Sequence, residues 1–369
     1  MKIGVLTSSR ADFGIYLPLL KAMQRDSFFQ LEIIAFGTHL SHFHGFTLAH
    51  IEREGLNVPF KIESLILGDS EEAVATAMAV TSMKFSSFWA AHAKDFDFVL
   101  CLGDRYEMYS AVLAGVPFRV PFAHFHGGEK TLGAIDNIFR HAISLCAKLH
   151  FVATDEYAER VKRIIDGSNH VYTVGALSLD NLSTLDLFSP QEFYQQWNID
   201  LTKPSILVTL HPETIAVKKN EEYAENVAAV LNTLTEYQVI VTMPNSDTAG
   251  MVIRKVWDEV LSRDPRIFRI ENFGTKGYFT CIKYCSFLLG NTSSGIIEAA
   301  SFGKYVINLG RRQEGRTKSE NVIDSSFDVA SIKAAIKRIE TSPASSTDNV
   351  YWKGGAVNRI LNILKEQHQ

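Results

Sequence analysis

Short apolar runs alternate with longer stretches of helical period through the whole chain, and this alternation constrains the fold most. The runs are rich in β-branched residues, as in strands buried on both faces of a parallel sheet. The predicted strands are Lys2–Thr7, Leu31–Phe36, Phe98–Leu102, Pro121–Phe125, Leu149–Ala153, Val171–Val174, Ser205–Leu210, Gln238–Met243, Ser286–Leu289 and Tyr305–Leu309. The predicted helices are Tyr16–Gln24, Glu71–Ala93, Met108–Ala114, Asp136–Ala147, Glu221–Leu234, Met251–Leu261, Ser294–Ala300 and Val357–Lys365. The chain is therefore expected to be an α/β protein with parallel sheets.

The strand–helix alternation restarts after Pro204. The length of 369 residues suits two domains of about 150–200 residues each. We expect two doubly wound, Rossmann-type domains, residues 1–180 and 181–369, facing each other across a cleft, with a boundary near Gly175–Leu201. The last helix is a candidate for packing back onto the first domain. Ligands of such sheets bind beyond the carboxyl ends of the strands, so the residues at those ends matter most.

Composition excludes several classes of protein. With 37 basic and 41 acidic residues the net charge is −4, which gives no reason to expect a nucleic-acid partner. No apolar run approaches the roughly 20 residues of a membrane span, and the apolar start of the chain is too short for a signal peptide. Four cysteines without paired spacing indicate neither a zinc site nor a disulfide framework. We therefore expect a cytoplasmic protein without a membrane partner.

In the first half, charged residues follow two predicted strands. Small residues and Arg10 follow the first strand, where backbone amides and one cation suit an anion; a surface ion pair is the alternative. Neither G-x-G-x-x-G after this strand nor a P-loop motif is present, which argues against a conventional dinucleotide fold or a P-loop. Asp104 and Arg105 follow the strand Phe98–Leu102, either facing the ligand or forming a structural pair.

Histidines and acids cluster after the strand Pro121–Phe125. His124 and His126 are expected to share one face of that strand, since they lie two residues apart. Glu129 and Asp136 follow. Carboxylates and histidines at one strand end are suited to acid–base catalysis. A hydrogen-bonded turn with buried histidines is the alternative, and for His124 alone it is the preferred one.

No metal site is expected. His39, His42 and His44 lack ligand spacing and accompanying carboxylates or thiols.

The second half places polar residues after its strands as well. His211 follows Ser205–Leu210, and Asn245 follows the next strand. Thr292, Ser293 and Ser294 precede a helix, where hydroxyls and amides can bind phosphate or simply cap the helix. Glu298 lies one turn further, within reach of a ribose. Arg312 follows the strand Tyr305–Leu309 and supplies a cation.

Six motifs carry a resemblance to a known family. They are Ser-Arg-Ala-Asp-Phe-Gly (9–14), Gly-Asp-Arg-Tyr-Glu (103–107), His-Gly-Gly-Glu (126–129), His-Pro-Glu (211–213), Gly-Asn-Thr-Ser-Ser-Gly (290–295) and Asn-Leu-Gly-Arg-Arg-Gln (308–313). In this order they resemble the hydrolysing UDP-N-acetylglucosamine 2-epimerases of sialic-acid biosynthesis, over nearly the whole chain.

The resemblance implies a GT-B fold, no metal or nicotinamide cofactor, a homodimer or homotetramer, and conversion of UDP-N-acetylglucosamine and water into N-acetylmannosamine and UDP. The residues it implies around the sugar are Asp104, Glu129, Asp136 and His211. The candidates for moving protons at C2 are Asp104, His126, Glu129 and Asp136, and His211 could assist departure of the phosphate. Those it implies for UDP are Arg10, Arg105, His211, Asn245, Thr292, Ser293, Glu298 and Arg312. Gly14 and Ser294, which lie in the same motifs, are further candidates for binding UDP.

One position departs from the pattern of related enzymes. The epimerase half of the bifunctional animal enzyme and the non-hydrolysing relatives have glutamate where this chain has His126. The group that moves the C2 proton therefore stays open. The expected chemistry is elimination to a 2-acetamidoglucal and UDP, followed by addition of water.

Other functions remain open at this point. The same chemistry could act on a UDP-linked 2,4-diacetamido-2,4,6-trideoxyhexose or on a GDP-linked sugar. A GT-B glycosyltransferase, a non-hydrolysing epimerase and a non-catalytic nucleotide-sugar sensor are further alternatives.

Overall fold

The computed structural model describes residues 1–44, 46–68, 70–132, 135–213, 217–243, 250–261 and 264–368. The chain divides into two compact units, which do not follow simple chain order. Unit 1 contains Met1–Glu129, Asp136–Thr184 and Tyr351–Gln369, and unit 2 contains Lys130–Ile135 and Leu185–Val350. The C-terminal residues thus belong to the same unit as the N-terminal ones.

Unit 1 is built on one parallel sheet. Its strands are β1 (Lys2–Thr7), β2 (Gln30–Phe36), β3 (Phe60–Ile62), β4 (Phe98–Leu102), β5 (Phe122–Phe125), β6 (Leu149–Val152) and β7 (Val171–Thr173). Its helices are α1 (Arg10–Arg25), α2 (Leu48–Arg53), α3 (Glu71–His92), α4 (Tyr106–Gly115), α5 (Asp136–Cys146), α6 (Asp155–Ile164) and α7 (Asp180–Thr184), joined by the C-terminal α14 (Ala356–Glu366). The described strands lie in the order β3-β2-β1-β4-β5-β6-β7.

Both faces of this sheet are covered. On one face, α1, α2 and α14 bury residues such as Leu19, Ile51 and Ile360. On the other face, α3, α4 and α5 bury residues such as Trp89 and Val112. Burial on both faces explains why the strands are almost wholly apolar in sequence.

Unit 2 repeats the arrangement. Its strands are β8 (Ser205–Thr209), β9 (Gln238–Thr242), β10 (Ile267–Ile270), β11 (Phe287–Gly290), β12 (Tyr305–Leu309) and β13 (Val322–Ser325). Its helices are α8 (Pro190–Trp197), α9 (Asn220–Leu231), α10 (Gly250–Val260), α11 (Gly274–Tyr284), α12 (Ser293–Ile297) and α13 (Val329–Thr341). The described strands lie in the order β10-β9-β8-β11-β12-β13, and all their pairings are parallel.

The predicted alternation of strands and helices is present, with differences at its margins. The edge strands β3, β10 and β13 were not predicted, because they are short and only partly buried. Helix α1 begins at Arg10 rather than at Tyr16, because Ser9 and Asp12 form a capping box that starts the helix earlier. The helices α2, α6, α7, α8, α11 and α13 were not predicted either.

Among the described residues, no helix combines the length and apolarity needed to cross a bilayer. The expected domain bounds, residues 1–180 and 181–369, stay a prediction.

Candidate active site

Four of the six motifs follow the strands at which each sheet reverses its strand order. The reversal falls between β1 and β4 in unit 1, and between β8 and β11 in unit 2. Doubly wound sheets bind ligands beyond the carboxyl ends of the strands at such a point. The chain there carries Arg10 after β1, Asp104 after β4, His211 after β8 and Asn291 after β11.

The turn between β1 and α1 is organised by Asp12. This buried carboxylate accepts hydrogen bonds from the amide and hydroxyl of Ser8, at 2.8 and 2.7 Å, and from the amide and hydroxyl of Ser9, at 3.0 and 2.6 Å. Arg10 is the first residue of α1 and is exposed. The backbone carbonyl of Gly14, one turn further along α1, accepts a hydrogen bond from the side-chain amide of Asn181 at 3.2 Å.

The strand end after β4 carries two ion pairs. Asp104 pairs with the buried Arg140 of α5. Arg105 donates two hydrogen bonds to the buried carboxylate of Glu107, at 3.2 and 3.0 Å. Asp104 and Arg105 thus do not neutralise each other, because each has its own partner of opposite charge.

A buried histidine–carboxylate pair follows β5. His126 Nδ1 lies 2.7 Å from Glu129 Oε1, and both side chains are largely buried. His126 has a φ of +61°, a left-handed conformation that is uncommon outside glycine. Gly128 has a φ of +76°, and a Cβ there would overlap the Tyr157 carbonyl oxygen. The tight turn therefore brings Glu129 back onto the histidine, and strained residues of this kind cluster at functional sites.

His124 has a structural role, and the prediction that it shares a strand face with His126 is wrong. His126 lies beyond the end of β5, and its positive φ turns it away from the strand alternation. His124 is fully buried, with Nε2 2.9 Å from the Gly103 carbonyl oxygen and Nδ1 3.0 Å from the Ser144 hydroxyl. Burial lowers the pKa of His124 to about 3, so the ring is neutral and donates to Gly103 through Nε2.

Asp136 is the first residue of α5 and is half-buried. It lies four residues before Arg140, the partner of Asp104, so both side chains stand on one helix face. Asp104 and Asp136 are thus both associated with the N-terminal half of α5.

In unit 2 the side chain of Asn291 fixes the main chain of His211. Asn291 Oδ1 accepts from the His211 amide at 2.7 Å, and Asn291 Nδ2 donates to the His211 carbonyl at 2.8 Å. The carbonyl of Asn291 accepts from Gln313 Nε2 at 2.8 Å and from Arg312 at 3.2 Å. One residue therefore joins the loops that carry His211 and Arg312.

Glu213 fixes the loop after β12. Its carboxylate accepts hydrogen bonds from the backbone amides of Arg311, at 2.5 Å, and Arg312, at 3.1 Å. Gly310 has a φ of +67°, and a Cβ there would overlap Glu213 Oε1. The carboxylate can reach these amides only because residue 310 is glycine.

The segment after β11 is a capped turn. Thr292 is the N-cap of α12, and its hydroxyl accepts from the Ser294 amide at 3.4 Å. Ser293 and Ser294 are half-buried and open the helix, while Glu298, which follows it, is buried. Burial raises the pKa of Tyr278, and the nearby charge of Glu298 raises it further.

Two further residues from the sequence analysis are Asn245, a candidate for the UDP site, and His39, a histidine considered for a metal site. Asn245 lies outside the described residues. His39 is buried between the hydroxyls of Thr7 and Thr47, at 2.9 and 2.8 Å, and burial lowers its pKa to about 4. Among the described residues no group of histidine, cysteine, aspartate or glutamate side chains could hold a metal ion.

The motifs quoted in the sequence analysis contain Glu107, Glu213, Asn291 and Gln313, but none of the four was given a role. Glu107, Glu213 and Asn291 contact Arg105, Arg312 and His211 of the predicted site, and Gln313 contacts Asn291. The motifs themselves were the available signal, since all four residues lie within them.

Two doubly wound units with polar residues at both reversal points define the GT-B class of fold. In the solved structures, UDP-GlcNAc 2-epimerase from Neisseria meningitidis bound to UDP-GlcNAc superposes with a TM-score of 0.83, covering 99% of this chain and 100% of that one at 16% identity. The predicted fold is confirmed.

Sequence comparisons identify the family. The model of the UDP-N-acetylglucosamine 2-epimerase family matches residues 21–365. Polysialic acid biosynthesis protein P7 of Escherichia coli is 31% identical over 99% of this chain and 94% of its own length. GDP/UDP-N,N'-diacetylbacillosamine 2-epimerase (hydrolyzing) of Campylobacter jejuni is 32% identical over 92% of this chain and 88% of its own. The chain belongs to the UDP-N-acetylglucosamine 2-epimerase family, which confirms the resemblance and makes it a nucleotide-sugar epimerase.

Proposed function

We propose that this enzyme is a hydrolysing UDP-N-acetylglucosamine 2-epimerase that releases N-acetylmannosamine and UDP. The observation that carries the proposal is the buried His126–Glu129 pair after β5, in a chain of this family. A proton-transfer pair of this kind suits a reaction that removes and returns a proton at carbon. The proposed compartment is the cytoplasm, on the sequence grounds given above.

The chemistry explains why such a pair is needed. The C2 hydrogen of an N-acetylhexosamine is not acidic while the C1 substituent stays in place. When the UDP oxygen leaves, C1 gains oxocarbenium character and the C2–H bond weakens. A base then takes the C2 proton to give 2-acetamidoglucal, and water adds at C1 while an acid protonates C2 from the opposite face.

We assign the C2 base to His126. Glu129 accepts a hydrogen bond from the Nδ1–H group of His126. Nε2 of His126 is then the atom that takes up the substrate proton. The carboxylate then stabilises the imidazolium that forms, as in other histidine–carboxylate pairs.

Asp104 and Asp136 are the candidates for returning a proton to C2. The ion pair with Arg140 fixes the side chain of Asp104, and Asp136 stands on the same helix face as Arg140. The buried guanidinium of Arg140 thus orients Asp104, and Asp136 lies one helical turn before Arg140 in α5.

The diphosphate is assigned mainly to unit 2. Arg312 and the hydroxyls of Thr292, Ser293 and Ser294 would stabilise the negative charge that develops as UDP leaves. His211 would assist the departing phosphate, and Glu298 would bind the ribose. Arg10, Gly14, Arg105 and Asn245 are the other proposed nucleotide-binding residues.

The test is an incubation with UDP-N-acetylglucosamine in D2O, followed by NMR. Free N-acetylmannosamine and UDP, with deuterium at C2, are expected. Release of UDP-N-acetylmannosamine would identify a non-hydrolysing epimerase. Binding of UDP without turnover would identify a nucleotide-sugar sensor. Product without deuterium at C2 would exclude the elimination route.

A second candidate substrate is a nucleotide-linked 2,4-diacetamido-2,4,6-trideoxyhexose. The 32% identity to the C. jejuni enzyme, beside 31% to the E. coli protein, favours testing it. Parallel assays with the UDP- and GDP-linked sugars measure kcat/KM for each sugar. The ratio of these values decides which sugar is the preferred substrate.

A further inference from the structure

The turn that carries the His126–Glu129 pair is braced at both ends. The backbone amide of His126 donates to the Phe151 carbonyl at 3.1 Å, which ties the start of the turn to β6. Further along the turn, Arg160 of α6 donates through Nη1 to the backbone carbonyl of Gly128. Gly128 is buried, and a buried carbonyl without a donor costs free energy. Arg160 therefore supplies a hydrogen bond that stabilises the turn.

Arg160 is itself held in place by its neighbours. Its Nη2 donates to Glu156 Oε1 at 2.7 Å, one helical turn earlier in α6. Its guanidinium lies over the ring of Tyr157, 5.5 Å from the ring centroid. The side chain is only 13% exposed. A guanidinium fixed in this way loses little further freedom when it binds the Gly128 carbonyl, so this charge-assisted hydrogen bond is a strong one.

The hydrogen bond to Gly128 has a direct consequence for Glu129. The Gly128 carbonyl and the Glu129 amide belong to one planar peptide group, so fixing the carbonyl fixes the direction in which the chain enters Glu129. The backbone of the turn also lies directly against α6, because a Cβ on residue 128 would overlap the Tyr157 carbonyl oxygen. Helix α6 thus sets the position of the carboxylate that contacts His126.

We propose that Arg160 is a positioning residue for the reaction, which acts through the Gly128–Glu129 peptide group on the His126–Glu129 pair. This rests on the proposed function, in which the pair takes the C2 proton. His126 and Gly128 both have positive φ, and a non-glycine residue in this conformation persists only when its surroundings support it. Without Arg160 we expect the turn to relax and the distance of 2.7 Å between Nδ1 and Oε1 to lengthen.

The first experiment measures kcat and KM of Arg160→Met, which keeps an unbranched side chain and removes its donors. A loosened pair should lower kcat about 30-fold and leave KM within about threefold. Arg160→Lys retains a charged donor and should recover most of the loss. The matched control is Arg163→Met, because Arg163 lies in the same helix, is exposed and donates to the Glu159 carbonyl. This control should keep kcat within about twofold.

The second experiment tests whether Arg160 acts through Glu129. In a Glu129→Gln background the pair is already impaired, so adding Arg160→Met should lower kcat by no more than about twofold. A further fall of about 30-fold would show that the two residues act independently, and it would overturn the proposal. A raised KM with unchanged kcat in Arg160→Met would also overturn it, because that result assigns Arg160 to substrate binding.

The third experiment does not depend on turnover. The Nδ1–H group of His126, bonded to a carboxylate, should give a downfield proton NMR signal that is identified by its loss in Glu129→Gln. The signal should move upfield or weaken in Arg160→Met and match the wild type in Arg163→Met.

This signal separates the proposal from its alternatives. A merely structural role of Arg160 would lower Tm in Arg160→Met but leave the signal and the kcat of the folded protein unchanged, which would overturn the proposal. A signal that responds in a protein that does not turn over UDP-N-acetylglucosamine would support the positioning of the pair by Arg160 and contradict the proposed function alone.

Discussion

The candidate site residues of unit 1 and unit 2 are held in different ways. In unit 1, titratable side chains pair with other side chains, as in His126–Glu129 and Asp104–Arg140. In unit 2, side chains bind the main chain, as Asn291 does at His211 and Glu213 does at Arg312. Pairs of titratable groups control where protons reside, whereas bonds to the main chain control the shape of a loop. We therefore expect unit 1 to govern turnover and unit 2 to govern nucleotide affinity.

The largest expected effect is on kcat, through Glu129. Glu129→Gln keeps the shape of the side chain but removes the charge that orients and stabilises His126. It should lower kcat by about 10³-fold and leave KM within about threefold. Steady-state kinetics with UDP-N-acetylglucosamine measure both constants.

The control for this variant is Asp180→Asn. Asp180 is a buried acid of unit 1 that accepts from the amides of Ala356 and Val357, so its loss should lower Tm without a comparable fall in kcat. If Glu129→Gln retained kcat within tenfold, the proposed role of the pair would be wrong.

The next effect separates two adjacent arginines of unit 2. Arg312 donates to the Asn291 carbonyl in the candidate phosphate site, while Arg311 is exposed and pairs with Glu314. Arg312→Ala should weaken UDP binding by about 1–3 kcal/mol, and Arg311→Ala should change it much less. Isothermal titration calorimetry measures both, and equal losses would contradict the assignment.

A smaller effect is expected from Glu213, which positions Arg312 through two backbone amides. Glu213→Gln loses the charge of the acceptor and should raise KM about tenfold, with kcat nearly unchanged. Glu222→Gln is the matched control, since Glu222 lies nearby in α9 and is exposed. A fall in kcat with unchanged KM would place Glu213 in the chemical step instead.

The last effect concerns stability rather than kinetics, and it is expected first in unit 1 on acidification. Burial holds the pKa of His39 and His150 at about 4 and that of His124 at about 3. Below about pH 6.5 the unfolded chain binds protons that the folded chain does not, so stability falls as pH drops toward 4. The loss reaches about 2 kcal/mol per histidine at pH 5.

Unit 2 provides the internal reference for this effect, because His211 is its one histidine in the sequence. Hydrogen exchange followed by mass spectrometry at pH 5 and 7.5, corrected for intrinsic rates, should show loss of protection first in β4 and β5. Earlier loss in β8 and β11 would contradict the expectation.

The central strands were predictable because burial on both faces makes them almost wholly apolar. β1, β4 and β12 were predicted with the bounds that the structure shows. Edge strands cannot be predicted in this way. β3 and β10 are partly exposed, and their sequences mix apolar and charged residues.

The positions of the site motifs were predictable because parallel strands end at the same edge of their sheet. Their partners were not. Glu213 meets the amide of Arg311, 98 residues away in sequence, and Asn291 meets His211 across 80 residues. Such contacts depend on which strands become neighbours, and no local pattern encodes that.

The discontinuity of unit 1 has a consequence for its synthesis on the ribosome. Helix α14 contributes Ile360 and Leu364 to a core built mainly from the first 180 residues. Residues 351–369 are translated only after the whole of unit 2. The nascent chain therefore carries an uncovered apolar surface on its first unit while the second is being made, and helix α14 covers that surface only after unit 2 has been translated.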